Sequence, residues 1–142
     1  MMKVSAILAT KGKRVITIGQ EKSIKDAVSL LREHNIGALV VTDDAGGMLG
    51  ILSERDIVRA AATVDNPLAQ PVSQVMTTNV ITCRPQDDLE AVANTMTEKR
   101  FRHLPVMDKD ILIGVISIGD VVKVQRDKYR GEVYTLETQI ME

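Results

Sequence analysis

Aromatic side chains are almost absent from this 142-residue chain, which has no tryptophan, two tyrosines and one phenylalanine. With so few rings it offers no stacking platform for single-stranded nucleic acid, and its core must be built from Val, Ile, Leu, Ala and Met. The lone cysteine, Cys83, excludes an internal disulfide and a multi-cysteine zinc site. Two histidines are too few for a histidine metal cage, so no metal is expected. A formal charge of −1 gives no global pull toward DNA or an anionic membrane. Apolar runs are short. Val4 to Ala9 falls below a signal-peptide core, and "IGALVV" falls far below a membrane span. These absences predict a cytoplasmic protein with no nucleic-acid or membrane partner, compact and long enough to bury a real core.

What is present is written twice. "VITIGQEKSIKDAVSLLREHNIGALVVTD" from Val15 aligns without a gap to "VITCRPQDDLEAVANTMTEKRFRHLPVMD" from Val80. One residue is then lost at "DDAGG" against "DKD", where turn chemistry predicts a hairpin tip. The match resumes at Gly50/Gly114, Ser53/Ser117, Asp56/Asp120 and Val58/Val122. Each copy reads as a short strand (Val15 to Ile18; Val80 to Cys83), a helix, two strands and a second helix. The first helix is apolar at Ile24, Ala27, Val28 and Leu31 and its twin at Leu89, Val92, Ala93 and Met96, the spacing of a core-facing stripe. Ser23 and Asp88 sit where N-caps belong. The fold class is therefore α/β (α+β): two β-α-β-β-α units about a pseudo-two-fold axis, with two related clefts between them. The predicted boundaries are 1–62 for the first repeat, 63–79 for a linker broken by Pro67 and Pro71, 80–125 for the second repeat, and 126–142 for a helical extension or tail.

The ends of the two copies, "GILSERD" and "GVISIGD", carry the chemistry. Ser-x-x-Asp before an apolar run is a helix-capping signature, and capping alone would explain it. The same geometry suits a nucleotide: unpaired N–H groups and the positive dipole end attract phosphate, and the carboxylate accepts from ribose hydroxyls. The second copy is the better equipped, with "RFRHLPV" where the first has "GAL". Arg102 and His103 can neutralise phosphate there, although Arg100 and Arg102 also fit a solvated basic face. Pro105 interrupts the strand ladder. In the first copy Glu54 is unfavourable beside phosphate, with Arg55 as partial compensation. The Ser117/Asp120 cleft is accordingly ranked above the Ser53/Asp56 cleft. No enzyme is expected: no phosphate loop, zinc-protease motif or serine elbow is present, and nothing pairs Cys83 with His34 or His103.

The duplicated unit, the glycine-apolar-x-Ser-x-x-Asp endings and "VSQVMTTNVITCRP" together resemble a tandem pair of CBS domains, a Bateman module, over residues 3 to 125. "KGKRVITI", "SERD", "KRFRHLPV" and "SIGDVVK" further resemble stand-alone two-CBS-domain proteins. The resemblance implies a non-catalytic sensor of adenine nucleotides, commonly AMP, ADP or ATP, in some members NAD(H) or S-adenosylmethionine, that dimerises as a flat disc. It matches Asp120 to the ribose-binding carboxylate, and Ser117 with the N–H groups of Ile118 and Gly119 to the phosphate site. Val80, Ile81 and Thr82, with Arg102, His103, Leu104 and Pro105, fall at the strand edges that cradle base and phosphate. Ser53, Arg55 and Asp56 make the other, lower-ranked cleft with Thr17, Ile18, Gly37 and Ala38. The loop holding Lys11, Lys13 and Arg14 either adds a phosphate contact, through Lys13 and Arg14, or is simply solvated. The expected partners are the nucleotide, a second copy and a regulated protein. The rival reading is a ligand-independent dimerisation module, which would keep the caps but has no need of "RFRH".

Overall fold

The structure is a computed structural model that describes residues 2–12 and 15–141, with side chains described through Gly131. In the first repeat β1 (Thr17–Gly19), α2 (Ile24–His34), β2 (Ala38–Thr42), β3 (Met48–Ser53) and α3 (Glu54–Thr63) follow in order, preceded by α1 (Val4–Lys11). A 3-10 turn (Pro67–Ala69) and α4 (Val72–Val75) occupy the expected linker. The second repeat holds α5 (Leu89–Lys99), β4 (His103–Asp108), β5 (Ile111–Ser117) and α6 (Ile118–Met141).

β1 lies parallel to β2, and β2 antiparallel to β3, in one sheet; β4 and β5 form an antiparallel hairpin. The two hairpin tips differ where the alignment loses a residue. In the first, Asp43 Oδ1 accepts from the N–H groups of Ala45 and Gly47. The second closes tightly through Lys109 and Asp110, both at positive φ, the mirror-image turn that suits strand twist.

The strand expected at Val80 to Cys83 shrinks to a single parallel bridge between Cys83 and Val106. Pro105 removes its first pair. In the first repeat the Val40 N–H donates to the Ile16 carbonyl at 3.3 Å. Pro105 stands at the position of Val40 and has no N–H for Ile81, so the pair equivalent to Thr17 and Val40 is lost.

Helix faces follow the sequence pattern. Ile24, Ala27 and Leu31 are buried, as are Leu89, Val92 and Met96, while Val28 at the rim of its face is exposed. Ser23 closes a reciprocal capping box with Asp26. Asp88, at the twin N-cap, makes no side-chain cap bond.

The leading helices pack crosswise. Val4, Ile7 and Leu8 of α1 belong to the core of the second repeat, among Leu89, Met96, Leu104 and Ile116. Val72 of α4 belongs to the core of the first, among Ile24, Leu39 and Leu52. Backbone bonds repeat the exchange: Val4 N–H to the Asp87 carbonyl and Leu89 N–H to Met2, against Val72 N–H to Lys22 and Ile24 N–H to Gln70. An eight-residue helix such as α1 is too short to persist alone. Burial of Val4, Ile7 and Leu8, about 1.5–3 kcal/mol each, is what holds it. Gly50 and Gly114 make room for the incoming segments. A Cβ at Gly50 would lie 2.5 Å from the Thr77 carbonyl oxygen, and one at Gly114 would lie 2.7 Å from Leu8 Cδ2.

Truncating Ile7 to Ala should lower the unfolding free energy by about 2–5 kcal/mol in urea melts. Native-state hydrogen exchange should place the added opening in β4, β5 and α5. Added exchange confined to β2 and β3, the strands nearer in sequence, would contradict the crosswise packing.

Candidate functional site

Both Ser-x-x-Asp segments sit at a strand-to-helix junction and both are caps. In the first, Asp56 Oδ2 accepts from the Ser53 N–H at 2.9 Å and the Ser53 hydroxyl at 3.1 Å. In the second, Asp120 Oδ2 accepts from the Ser117 N–H at 2.8 Å, and Ser117 Oγ accepts from the Asp120 N–H at 3.1 Å. The first N–H of each helix is also taken, Glu54 by the Gly37 carbonyl and Ile118 by the Arg102 carbonyl. These bonds tie each helix start to the residue that precedes β2 or β4.

The starts of β2 and β4 meet across the pseudo-two-fold, where His103 packs so closely on Gly37 that a Cβ there would lie 2.9 Å from Nε2. A cavity of about 670 Å³ opens beside this contact. One wall is the start of α3, with Ser53, Arg55, Asp56 and Arg59; the facing wall is Lys99 to His103. Arg55 Nη1 donates across the cleft to the Arg100 carbonyl at 3.4 Å. Five cationic side chains therefore line the cavity against two carboxylates, Glu54 and Asp56.

The two carboxylates are held differently. Asp56 is buried, and its Oδ1 accepts from the Thr77 hydroxyl at 3.0 Å. Asp120 instead meets Lys11, whose Nζ donates to Asp120 Oδ2 at 2.7 Å and to the Val115 carbonyl at 2.8 Å. Burial raises the Asp120 pKa, but the Lys11 and Ser117 hydrogen bonds and the Lys11 charge outweigh it and hold the carboxyl below its usual range.

The sequence grouping is therefore rearranged. Arg102 and His103, assigned with Ser117 and Asp120, line the cavity that contains Ser53 and Asp56, because the basic segment of one repeat faces the helix start of the other. His103 lines this cavity and remains the cross-strand partner of Ser117. Gly37 and Arg55 reach the cavity as grouped. Ile18, Ala38, Leu104 and Pro105 are buried in their strands, whereas Thr17 and Thr82 are exposed. Val80 is half-buried, and Ile81 and Ile118 pack against the second core. Gly119 is exposed on the first turn of α6. Lys13 and Arg14 lie outside the described residues. Sequence reasoning missed Thr77, Arg59 and Lys99. Thr77 carried a signal, since it follows "PVSQVM", the counterpart of "KVSAIL" at the N-terminus.

His103 is held toward neutrality chiefly by burial and then by the charge of Lys11; Glu54 and Asp120 oppose this, and Arg102 adds to it. Burial, aided by the charge of Asp87, pushes the Cys83 thiol up to about 12, so at neutral pH it is no nucleophile. Among the described residues no cluster of His, Cys, Asp or Glu could hold a metal ion, and no helix is long and apolar enough to cross a membrane.

Comparison with known proteins agrees with the geometry. The CBS domain family model matches twice, at residues 4–63 and 72–127. The crystal structure of a CBS-domain-containing protein of Agrobacterium tumefaciens, ATU1752, is 45% identical with a TM-score of 0.85, over 87% of this chain and 99% of that one. The CBS domain-containing protein YhcV of Bacillus subtilis is 31% identical over 83% of this chain and 84% of its own. The CBS pair of the protein MJ0100, solved with 5-methylthioadenosine and S-adenosyl-L-methionine, is 29% identical with a TM-score of 0.81, over 90% of this chain and 98% of that one.

The lowered His103 pKa fixes a sign for stability against pH. Above about pH 6.5 the ring is neutral in both folded and unfolded chains. As pH falls below that value the unfolded chain takes up the proton first, so stability should decline until the lower folded pKa is passed. Urea melts at pH 7.5, 6.5 and 5.5 should show this slope in the wild type and a shallower one in His103→Gln. Equal slopes would refute the assignment.

Proposed function

The chain belongs to the CBS-domain family as a tandem pair, a non-catalytic regulatory architecture, and we propose that it senses adenine nucleotides, AMP foremost, in the clefts between its repeats. One observation carries this reading. The cleft sets a helix start and a buried carboxylate on one wall and a cationic segment of the other repeat on the facing wall. Its volume lies within the usual range of small-molecule sites, about 300–1,000 Å³.

A nucleotide fits this chemistry part by part. The ribose hydroxyls donate to Asp56, whose Oδ1 retains acceptor capacity beside Thr77. The first and third N–H groups of α3 are engaged within the fold, so phosphate takes the second, that of Arg55. Arg100 and Arg102 neutralise phosphate from the opposite wall, and Ile51 offers the base an apolar surface. The Ser117/Asp120 cleft is the proposed second site, with Gly119 N–H in the place of Arg55 N–H.

The MJ0100 complex supports an adenosyl ligand. The cationic lining selects among adenosyl compounds: it favours the phosphates of AMP, ADP, ATP or NADH over the sulfonium of S-adenosylmethionine. Occupancy ties the two walls together and so changes how the repeats pack. It acts as a signal where the ligand prefers one packing over another. A second copy is the proposed partner across Val58 and Val122, exposed at equivalent positions of α3 and α6, and a regulated protein reads the result.

Thermal shift and calorimetry with AMP, ADP, ATP, NADH and S-adenosylmethionine test the proposal. A phosphate-bearing nucleotide at a hundred times its Kd should add about 2.7 kcal/mol of apparent stability, and Asp56→Ala should lose most of that response. Flat responses to every compound would favour a ligand-independent dimerisation module. Loss in Asp120→Ala alone would move the nucleotide to the other cleft.

A further inference from the structure

We propose that Lys11 is an intramolecular latch on the Ser117/Asp120 cleft: its ammonium occupies the carboxylate that a ribose would use, so ligand entry at Asp120 requires release of the Lys11 side chain. The inference rests on the nucleotide reading above and adds a mode of regulation to it.

In the first repeat Thr77 satisfies two groups, the Ile51 carbonyl through its N–H at 2.9 Å and Asp56 Oδ1 through its hydroxyl. Val115 and Asp120 are the equivalent groups of the second repeat, and Lys11 Nζ satisfies both. Thr77 and Lys11 come from the exchanged leading segments, so each repeat's carboxylate is held by the segment that completes its core. The chemistry of the two holders differs. A hydroxyl leaves Asp56 a charged acceptor, whereas an ammonium neutralises Asp120 directly.

A vicinal diol that bridges a carboxylate needs room on both oxygens. Asp120 Oδ2 accepts two donors, as Asp56 Oδ2 does, but one of them is the Lys11 ammonium, a full charge where Asp56 meets only the Ser53 N–H and hydroxyl. The Ser117 bond is part of the helix cap, so Lys11 is the partner that must leave. The pair is held loosely enough to yield, with the Lys11 side chain 38% and the Asp120 side chain 25% exposed. Ion pairs this accessible are weak, because water and salt screen them. Lys11 is the last residue of α1 and Gly12 follows at φ 90, so the ammonium can swing away from the helix end while burial of Val4, Ile7 and Leu8 keeps α1 in place.

Titration of AMP into uniformly ¹⁵N-labelled full chain, followed by NMR, tests this. The Gly119 amide reports the second cleft and the Arg55 amide the first. In Lys11→Met the AMP concentration at half-shift of Gly119 should fall by about fivefold, the range expected for removal of an exposed ion pair. The Arg55 midpoint should stay at its wild-type value, and Lys11→Arg, which restores charge and donors, should bring Gly119 back toward wild type. An unchanged or higher Gly119 midpoint in Lys11→Met overturns the latch and makes Lys11 a bystander or a ligand contact. If neither amide responds to AMP in any of the three proteins, the nucleotide reading itself fails, and the latch falls with it.

Discussion

Everything in this molecule depends on the exchange of leading segments between the repeats. Neither repeat closes its own core: the first needs Val72 from the chain that introduces the second, and the second needs Val4, Ile7 and Leu8 from the chain that introduces the first. The exchange fixes the relative placement of the halves more strictly than contact between their surfaces would, because a leading segment cannot move without opening an apolar core. The clefts inherit their geometry from this constraint. Gly50 and Gly114 lack side chains because a neighbouring segment runs where a Cβ would stand.

A duplicated scaffold need not produce duplicate sites. Both repeats build the same capped helix start, but the side chains brought to the two carboxylates differ, a threonine hydroxyl at Asp56 and a lysine ammonium at Asp120. The basic segment Lys99 to Arg102 has no counterpart in the first repeat, where the aligned residues are His34 to Gly37. One carboxylate therefore borders a cation-lined cavity while the other is paired with an internal charge. His103, at the contact of the two halves, feels charges from both.

Much of this was legible in the sequence, because repetition turns a weak local signal into a strong one. The hairpin tips, both helix faces and both Ser-x-x-Asp caps follow from the alignment of the copies, and Pro105 already marked the place where a ladder would fail. Less legible was which repeat each wall would face. The sequence places Arg102 and His103 in the copy that contains Asp120, whereas the pseudo-two-fold turns them toward Asp56. Proximity along a chain is a poor guide where two halves interlock. Thr77 and Lys11 were obscured for a related reason: the leading segments diverge, one extending as helix to Lys11 and the other ending at Val75, so the repeat at Val4-Ser5 and Val72-Ser73 is easily passed over.

The crosswise packing also bears on how such a molecule could arise. A single repeat with its own leading helix has an apolar face that the helix cannot reach and a helix with no face to cover. Two such chains satisfy one another, each lending its helix to its neighbour, in the manner of a domain-swapped pair. Fusion of the two genes would then convert an obligate dimer into one polypeptide without moving an atom of the core. Its two carboxylate positions would afterwards be free to diverge, one meeting a threonine hydroxyl and the other a lysine ammonium.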